Sequence, residues 1–278
     1  MQGQGTTRSN GDKKNQETIP TSSELRCMFM NADVLTNKLA EFELHVKSYQ
    51  PHIIGVNEVL PKYFRNTIFK EEFNLDNYDM LAHPNVEKNI GRGSILYIHK
   101  SLINKPVNLS DSSVEESILA EINLRNNDKL LCGLFYRRGE SSVENNNLLL
   151  QELRNISNKK YSHILCFGDF NLPGIDWTSW TTNNSDINTY EYNFIETVRD
   201  CFLFQHITEP TRCRGKDQPH TLDLIFTNEE NMVEKVQIEA PLGKSDHAII
   251  KFNFIADKIN SAPQIQTLYN KGNYKKNV

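Results

Sequence analysis

His163-Ile-Leu-Cys-Phe-Gly-Asp-Phe-Asn171 is the stretch on which the reading of this chain turns. The apolar run Ile164 to Phe167 breaks at Gly168 and delivers Asp169 and Asn171. That pattern predicts a buried β-strand ending in a polar corner. Period-two alternation puts Asp169 and Asn171 on one side of the chain and Phe170 on the other. A carboxylate and a carboxamide held side by side suit a charged substrate and an activated water. Taken alone, the same residues read as a strand followed by an Asp/Asn turn. They gain weight because other strand ends in the chain carry similar groups.

Outward from this stretch, strands and helices mix without strict alternation. Strands are predicted at 25–31, 52–57, 78–82, 93–99, 117–124, 130–136, 162–168, 221–227, 235–239 and 247–254. Helical spacing marks 36–49 (Leu35, Leu39, Phe42, Val46), 143–157 (Val143, Leu148, Leu149, Leu153) and about 188–200. Ser141 or Ser142 is placed to cap the second of these. Many short strands with few helices point to an α/β protein of two sheets packed face to face, helices outside. The folded unit is expected over 24–256. The polar segment 1–23 is expected to be disordered, and 257–278, with four lysines and no acid from Lys258 onward, to be a linker-like arm.

Bulk properties narrow the class. The 278 residues are 38% hydrophobic and 24% charged, as in a water-soluble globular protein. No apolar run approaches a membrane span, and the N-terminus lacks an apolar signal core. Five scattered cysteines without Cys-x-x-Cys spacing argue against a disulfide framework or zinc site and for a reducing compartment. A net charge of −4 excludes a protein that is basic all over, but not a local basic surface.

Five strand ends carry the candidate chemistry: Asn31; Glu58; Tyr136 with Arg137 and Arg138; Asp169 with Asn171; and Asp246-His247 before Ala248-Ile-Ile. Asp223 lies inside an apolar strand, Thr221-Leu-Asp-Leu-Ile-Phe. Each alone has an ordinary structural reading. Asp223 is the exception, because a carboxylate in an apolar strand is costly unless it is paired, and His247 is the proposed partner. Asn31, Glu58 and Asp246 offer hard oxygens suited to Mg²⁺, with Mn²⁺ as a substitute. Tyr136 and Asn171 can donate to phosphate oxygens, and Asp169 can orient or deprotonate water. The inventory fits hydrolysis of a phosphate ester.

In this order the residues resemble the endonuclease/exonuclease/phosphatase superfamily, which includes DNase I-like nucleases. The resemblance spans about 25–255 and is carried by Asn31, Asn57-Glu58, Tyr136, Gly168-Asp-Phe-Asn171, Leu222-Asp-Leu224 and Ser245-Asp-His247. Longer stretches resemble the endonuclease domain of jockey-like non-LTR (LINE-type) retrotransposons: Asn31 to Lys38, Glu58 to Lys62, Gly91 to Ser94, Gly168 to Trp177, Pro210 to Arg212, Leu222 to Asn228 and Pro241 to His247. The resemblance implies a four-layered α/β-sandwich and Mg²⁺-dependent nicking of DNA that leaves a 3′-hydroxyl. It implies Glu58 as main metal ligand with Asn31 and Asp246 around it, and Tyr136 and Asn171 on the scissile phosphate. Asp169 would handle the nucleophilic water. His247 with Asp223 would stabilise the transition state or act as base; which of Asp169 and His247 is the base stays open. Two departures stand out. Arg138-Gly-Glu140 follows Tyr136-Arg137 where the family usually has a proline, and the chain has no Tyr-x-Asp-Asp motif of a reverse transcriptase. The expectation is therefore a truncated element product or a stand-alone endonuclease.

Lys62, Arg65, Arg92, Arg137, Arg138, Arg212, Arg214 and Lys216 are candidates for a DNA track, with 211–219 as a basic loop. Two other functions compete: a phosphatase or phosphodiesterase acting on a small or lipid phosphate, and a non-catalytic nucleic-acid-binding remnant. A DNA substrate places the protein in the nucleus or cytoplasm, with no membrane and no obligate protein partner.

Overall fold

Two parallel strand pairs, one at the centre of each of two sheets, set the positions of the predicted polar strand ends. The first sheet holds β1 (Glu24–Asn31), β2 (Ile53–Asn57), β3 (Tyr78–Ala82), β4 (Ile95–His99), β13 (Val233–Glu239) and β14 (Ile249–Ile255). Its order is β13-β14-β1-β2-β4-β3, and only β1 and β2 run parallel. The second holds β5 (Asn104–Val107), β6 (Ser117–Asn123), β7 (Lys129–Tyr136), β8 (His163–Asp169), β11 (Phe204–Gln205) and β12 (Asp223–Thr227). Its order is β11-β12-β8-β7-β6-β5, with β7 and β8 parallel. A small hairpin, β9 (Ile175–Asp176) and β10 (Thr181–Thr182), stands apart. The computed structural model describes residues 24–64, 66–109, 114–184 and 186–256. The predicted N-terminal tail and C-terminal arm, and Arg65 of the DNA track, lie outside the described residues.

Alternation within the central strands builds the layers. From β1, Cys27 and Phe29 face the second sheet; Met28 and Met30 face the opposite way. From β8, Leu165 and Phe167 meet the first sheet, while Ile164 and Cys166 face outward. Helix α1 (Leu39–Tyr49) covers the first sheet with Phe42 and Val46. Helices α3 (Val143–Ser157) and α4 (Tyr190–Asp200) cover the second with Leu149, Leu153, Phe194 and Val198. The result is the expected four-layered arrangement. The hydroxyl of Ser142, one of the two serines expected to cap α3, accepts the Asn145 N–H at 3.1 Å. Ser142→Ala is expected to cost about 1 kcal/mol. An unchanged urea midpoint would show that the cap contributes nothing.

The differences from the sequence reading have local causes. α1 starts at Leu39 rather than residue 36 because the Lys38 ammonium folds back onto the carbonyls of Ala32 and Asp33, at 2.6 and 2.8 Å. Strand β5, Asn-Lys-Pro-Val, was not predicted: as an edge strand with a proline it lacks apolar alternation. The four-residue helix α2 (Pro84–Glu87) and the two-residue strands are too short for periodicity to register. Among the described residues, no helix is long and apolar enough to cross a membrane. All five cysteines are free thiols, Cys213 alone exposed.

Candidate active site

Parallel pairing brings the C-terminal ends of neighbouring strands together. In the first sheet Asn31 lies opposite Asn57, so Glu58 follows beside it. In the second, Tyr136 lies opposite Asp169, and antiparallel β12 sets Asp223 opposite Asp169 on the other side. Tyr136, Asp169 and Asp223 thus form a row across three strands. The sandwich brings that row against the ends of β1 and β2. The Tyr136 hydroxyl donates to Glu58 Oε1 at 2.8 Å. The Asn31 amide donates to Glu58 Oε1 at 3.1 Å and to Asp169 Oδ2 at 3.0 Å. Asn57 ties the sheets below this point, donating to the Phe135 carbonyl at 2.8 Å.

The chain before β14 closes the site. The Ser245 hydroxyl donates to the Asn31 carbonyl at 2.8 Å and accepts the His247 N–H at 3.2 Å. This turn aims His247 Nδ1 at Asp223, 2.9 Å from Oδ2, as the sequence pairing required. His247 Nε2 then faces Asp169 Oδ2 at 3.8 Å and Asp246 Oδ1 at 3.9 Å. Burial alone would favour neutral His247, but Asp223, Asp169 and Asp246 outweigh it and hold the imidazole up at about 9. Asp169 shifts upward too: its complete burial and the Asp223 charge outweigh the lowering by His247 and Asn31. Burial also raises Tyr136, so its hydroxyl stays a donor.

Of these groups, Asn31, Glu58, Tyr136, Asp169, Asp246 and His247 line one pocket of about 900 Å³, together with Asn171, Lys62, Arg138, Arg212 and Arg214, while Asp223 is wholly buried. The floor is acidic and the rim basic. Asn171 leaves the strand in the left-handed region (φ 50°), so the alternation predicted through it stops at Asp169; its N–H instead returns to Asp169 Oδ1 at 3.0 Å. The basic loop is pinned at its base, where the Cys213 N–H donates to the Asp246 carbonyl at 3.0 Å and the Ala248 N–H to the Thr211 carbonyl at 2.8 Å. That pinning carries the Arg212 guanidinium to Asp246 Oδ2 at 2.9 Å.

Two expectations need correction. Arg137, placed on the DNA track, is buried: it donates to Asn146 Oδ1 at 2.8 Å and to the Asn171 carbonyl at 2.9 Å, and stacks on Tyr190. It shapes the loop under Asn171 and cannot meet DNA. Asn31, expected to offer an oxygen to the metal, turns its amide NH₂ to Glu58 and Asp169, while its oxygen takes the Asp33 N–H at 3.1 Å. It bridges the two carboxylates as a donor. Lys216 is exposed on the basic loop but does not line the pocket.

Sequence reasoning missed several supports. Thr211 Oγ1 accepts the N–H groups of Leu222 and Asp223 at 3.1 and 3.0 Å, fixing the start of β12. Glu116 is a buried acid that takes Arg138 Nη2 at 2.7 Å and the Gly93 N–H at 3.0 Å. Arg92, read only as a DNA contact, ion-pairs with Glu58. Nothing in local periodicity marks these partners.

Glu58 is met by the Tyr136 hydroxyl, the Asn31 amide and the Arg92 guanidinium, and Asp246, in the same pocket lining, by Arg212. Glu58 and Asp246 offer carboxylate oxygens of the kind a hard divalent cation prefers. Asp169, Asp223 and His247 also lie close enough to ligate an ion, but the imidazole is already committed to Asp223 as a hydrogen-bonded pair.

Comparison with known proteins agrees with this fold. Residues 130–251 match the family model described as endonuclease-reverse transcriptase. No curated protein sequence matches the chain. Among solved structures, the endonuclease domain of TRAS1, a telomere-specific non-LTR retrotransposon, is similar with a TM-score of 0.63 at 15% identity, over 84% of this chain and 100% of that one. The AP endonuclease LMAP from Leishmania major gives 0.62 at 12% identity, over 88% and 96%. The 3′ phosphatase NExo from Neisseria, bound to a product DNA hairpin, gives 0.61 at 12% identity, over 83% and 99%. At these identities the likeness is one of fold.

Proposed function

We propose that the chain, whose residues 130–251 match the family model described as endonuclease-reverse transcriptase, is a divalent-metal-dependent DNA endonuclease of the endonuclease/exonuclease/phosphatase superfamily that nicks one strand and leaves a 3′-hydroxyl. One observation carries the reading: two sheets bring Glu58, Asp169 and His247, the last backed by buried Asp223, into a single acidic-floored, basic-rimmed pocket. The acids suit a metal and a water. The rim of Arg138, Arg212, Arg214 and Lys62 suits a polyanion longer than one phosphate.

The roles follow from the geometry. Tyr136 and Asn171 donate to the non-bridging oxygens of the scissile phosphate. Asp169, with its affinity for protons raised, takes one from the attacking water, which suits a general base working near neutral pH. Water attacks phosphorus in line, the bond from phosphorus to the 3′ oxygen breaks, and that oxygen takes a proton from solvent to become the 3′-hydroxyl, leaving a 5′-phosphate on the other side of the nick. The His247 imidazolium, steadied by Asp223, lies beside the charge that develops. A divalent ion at Glu58 would supply further neutralisation of phosphate charge.

The test is conversion of supercoiled plasmid to nicked circles in Mg²⁺ or Mn²⁺, with polymerase extension scoring the 3′-hydroxyl. Inositol and lipid phosphates serve as competing substrates. Hydrolysis of those in place of DNA would support a small-phosphate phosphatase; DNA binding without hydrolysis in either metal would support a non-catalytic remnant. Metal dependence has its own check. Added Mn²⁺ should raise the unfolding midpoint of the wild type, and Glu58→Gln should weaken that response by at least about tenfold in Mn²⁺ concentration. Equal midpoint shifts in both proteins would remove Glu58 from the metal site.

A further inference from the structure

Tyr63 and Ile90 are large apolar side chains at the mouth of the pocket, 79% and 59% exposed. Single exposed apolar residues are ordinary on protein surfaces. These two come from different loops and line the same opening. Their positions are also held by backbone structure, which an incidental surface residue does not require.

The loop after Glu58 and the loop before β4 are joined by a two-way bridge. The Leu60 N–H donates to the Arg92 carbonyl at 2.9 Å, and the Arg92 N–H returns to the Leu60 carbonyl at 3.1 Å. Gly91 presses on the carbonyls of Pro61 and Lys62 so closely that a Cβ would lie 2.6 Å from each oxygen, and its φ is +98°. Below, buried Glu116 fastens the second loop by accepting the Gly93 N–H at 3.0 Å and the Asn85 amide at 3.2 Å. The Lys62 ammonium lies over one face of the Tyr63 ring, 5.6 Å from its centroid, so a base would take the other face or displace the lysine.

Resting on the nuclease reading above, we propose that Tyr63 and Ile90 form a shelf that receives a nucleobase of the DNA strand beside the scissile phosphate. The cations of the rim provide for the phosphates; the shelf provides the apolar face that a base, and not a phosphate, requires. An aromatic ring accepts any base, because every base presents a π-face. The shelf therefore contributes affinity and placement without reading sequence.

The experiment separates bases from backbone. Binding of fluorescent single-stranded and duplex oligonucleotides is measured by anisotropy in EDTA, where cleavage is halted. A base-less oligonucleotide of tetrahydrofuran units serves as the control. Tyr63→Ala is expected to weaken binding of the base-bearing strands by about 5- to 150-fold, the span associated with one base–aromatic contact. Binding to the base-less strand should stay at the wild-type value, and the dependence on salt should keep its slope. Tyr63→Trp should restore affinity and show fluorescence quenching when base-bearing DNA is added. Equal binding by Tyr63→Ala and wild type on every strand overturns the shelf and leaves the nuclease reading standing. Equal losses on base-bearing and base-less strands also overturn it, since they indicate a backbone contact. A wild-type protein that neither binds nor nicks DNA overturns the nuclease reading and the shelf together.

Discussion

His247→Ala lowers the rate of plasmid nicking by about 10² to 10⁴, the span expected for loss of a group that acts on charge or protons in the transition state. The variant also leaves buried Asp223 without its partner, so some stability is lost as well, and the rate is compared at a temperature where circular dichroism shows the variant folded. DNA binding should change little, since the rim cations are untouched. Asp223→Asn removes the carboxylate nearest Nδ1, 2.9 Å away, and with it the leading support for the imidazolium. Its rate should fall toward that of His247→Ala. The pH profile supplies the sign. The folded His247 is raised to about 9 from its ordinary 6.5, so the charged form and its stabilisation are fully present below about 6.5 and are lost as pH rises through 9. In Asp223→Asn that loss should move to lower pH, so the two proteins differ most on the alkaline side of neutrality. A His247→Ala rate within threefold of wild type, or an Asp223→Asn profile that coincides with the wild type, would remove the pair from the mechanism.

Gly168→Ala should destabilise the protein by about 4 kcal/mol or more, which for a domain of this size lowers the unfolding midpoint by roughly 8 °C or more. Gly168 has φ +145°, and a Cβ there would lie 1.9 Å from the Phe135 carbonyl oxygen. That oxygen belongs to the neighbouring parallel strand, whose register pairs Phe135 with Gly168, and it also accepts the Asn57 amide at 2.8 Å. Strand β8 cannot shift without displacing the tie between the two sheets. The next residues in register are Tyr136 and Asp169, so nicking should fail along with stability. Thermal unfolding by circular dichroism checks the claim, and a midpoint equal to that of the wild type would refute it.

The two variants bear on different levels of the molecule. His247 acts first on the site, through its contacts with Asp223 and Asp169. Gly168 acts on the scaffold, because the sharp strand end that delivers Asp169 lies against the Phe135 carbonyl that takes the Asn57 tie between the sheets.

By itself, the sequence determined the alternating strands, the outer helices and the candidate polar strand ends, because period-two and helical spacing are local properties of the chain. The buried Asp223 demanded a partner on energetic grounds, and the Ser-Asp-His turn supplied it. Only the tertiary structure decided which strand ends meet. Asn31 and Asp169 are separated by 138 residues and joined by one hydrogen bond, a contact that depends on register and sheet stacking. The same holds for the corrections. Arg137 and Arg138 are neighbours in sequence, yet one turns inward to Tyr190 and the Asn171 carbonyl while the other reaches the rim through Glu116. Asn31 became a donor because two carboxylates face it from different strands. A side chain's type is written in the sequence; its partner, and so its charge and role, depends on what the fold places opposite it.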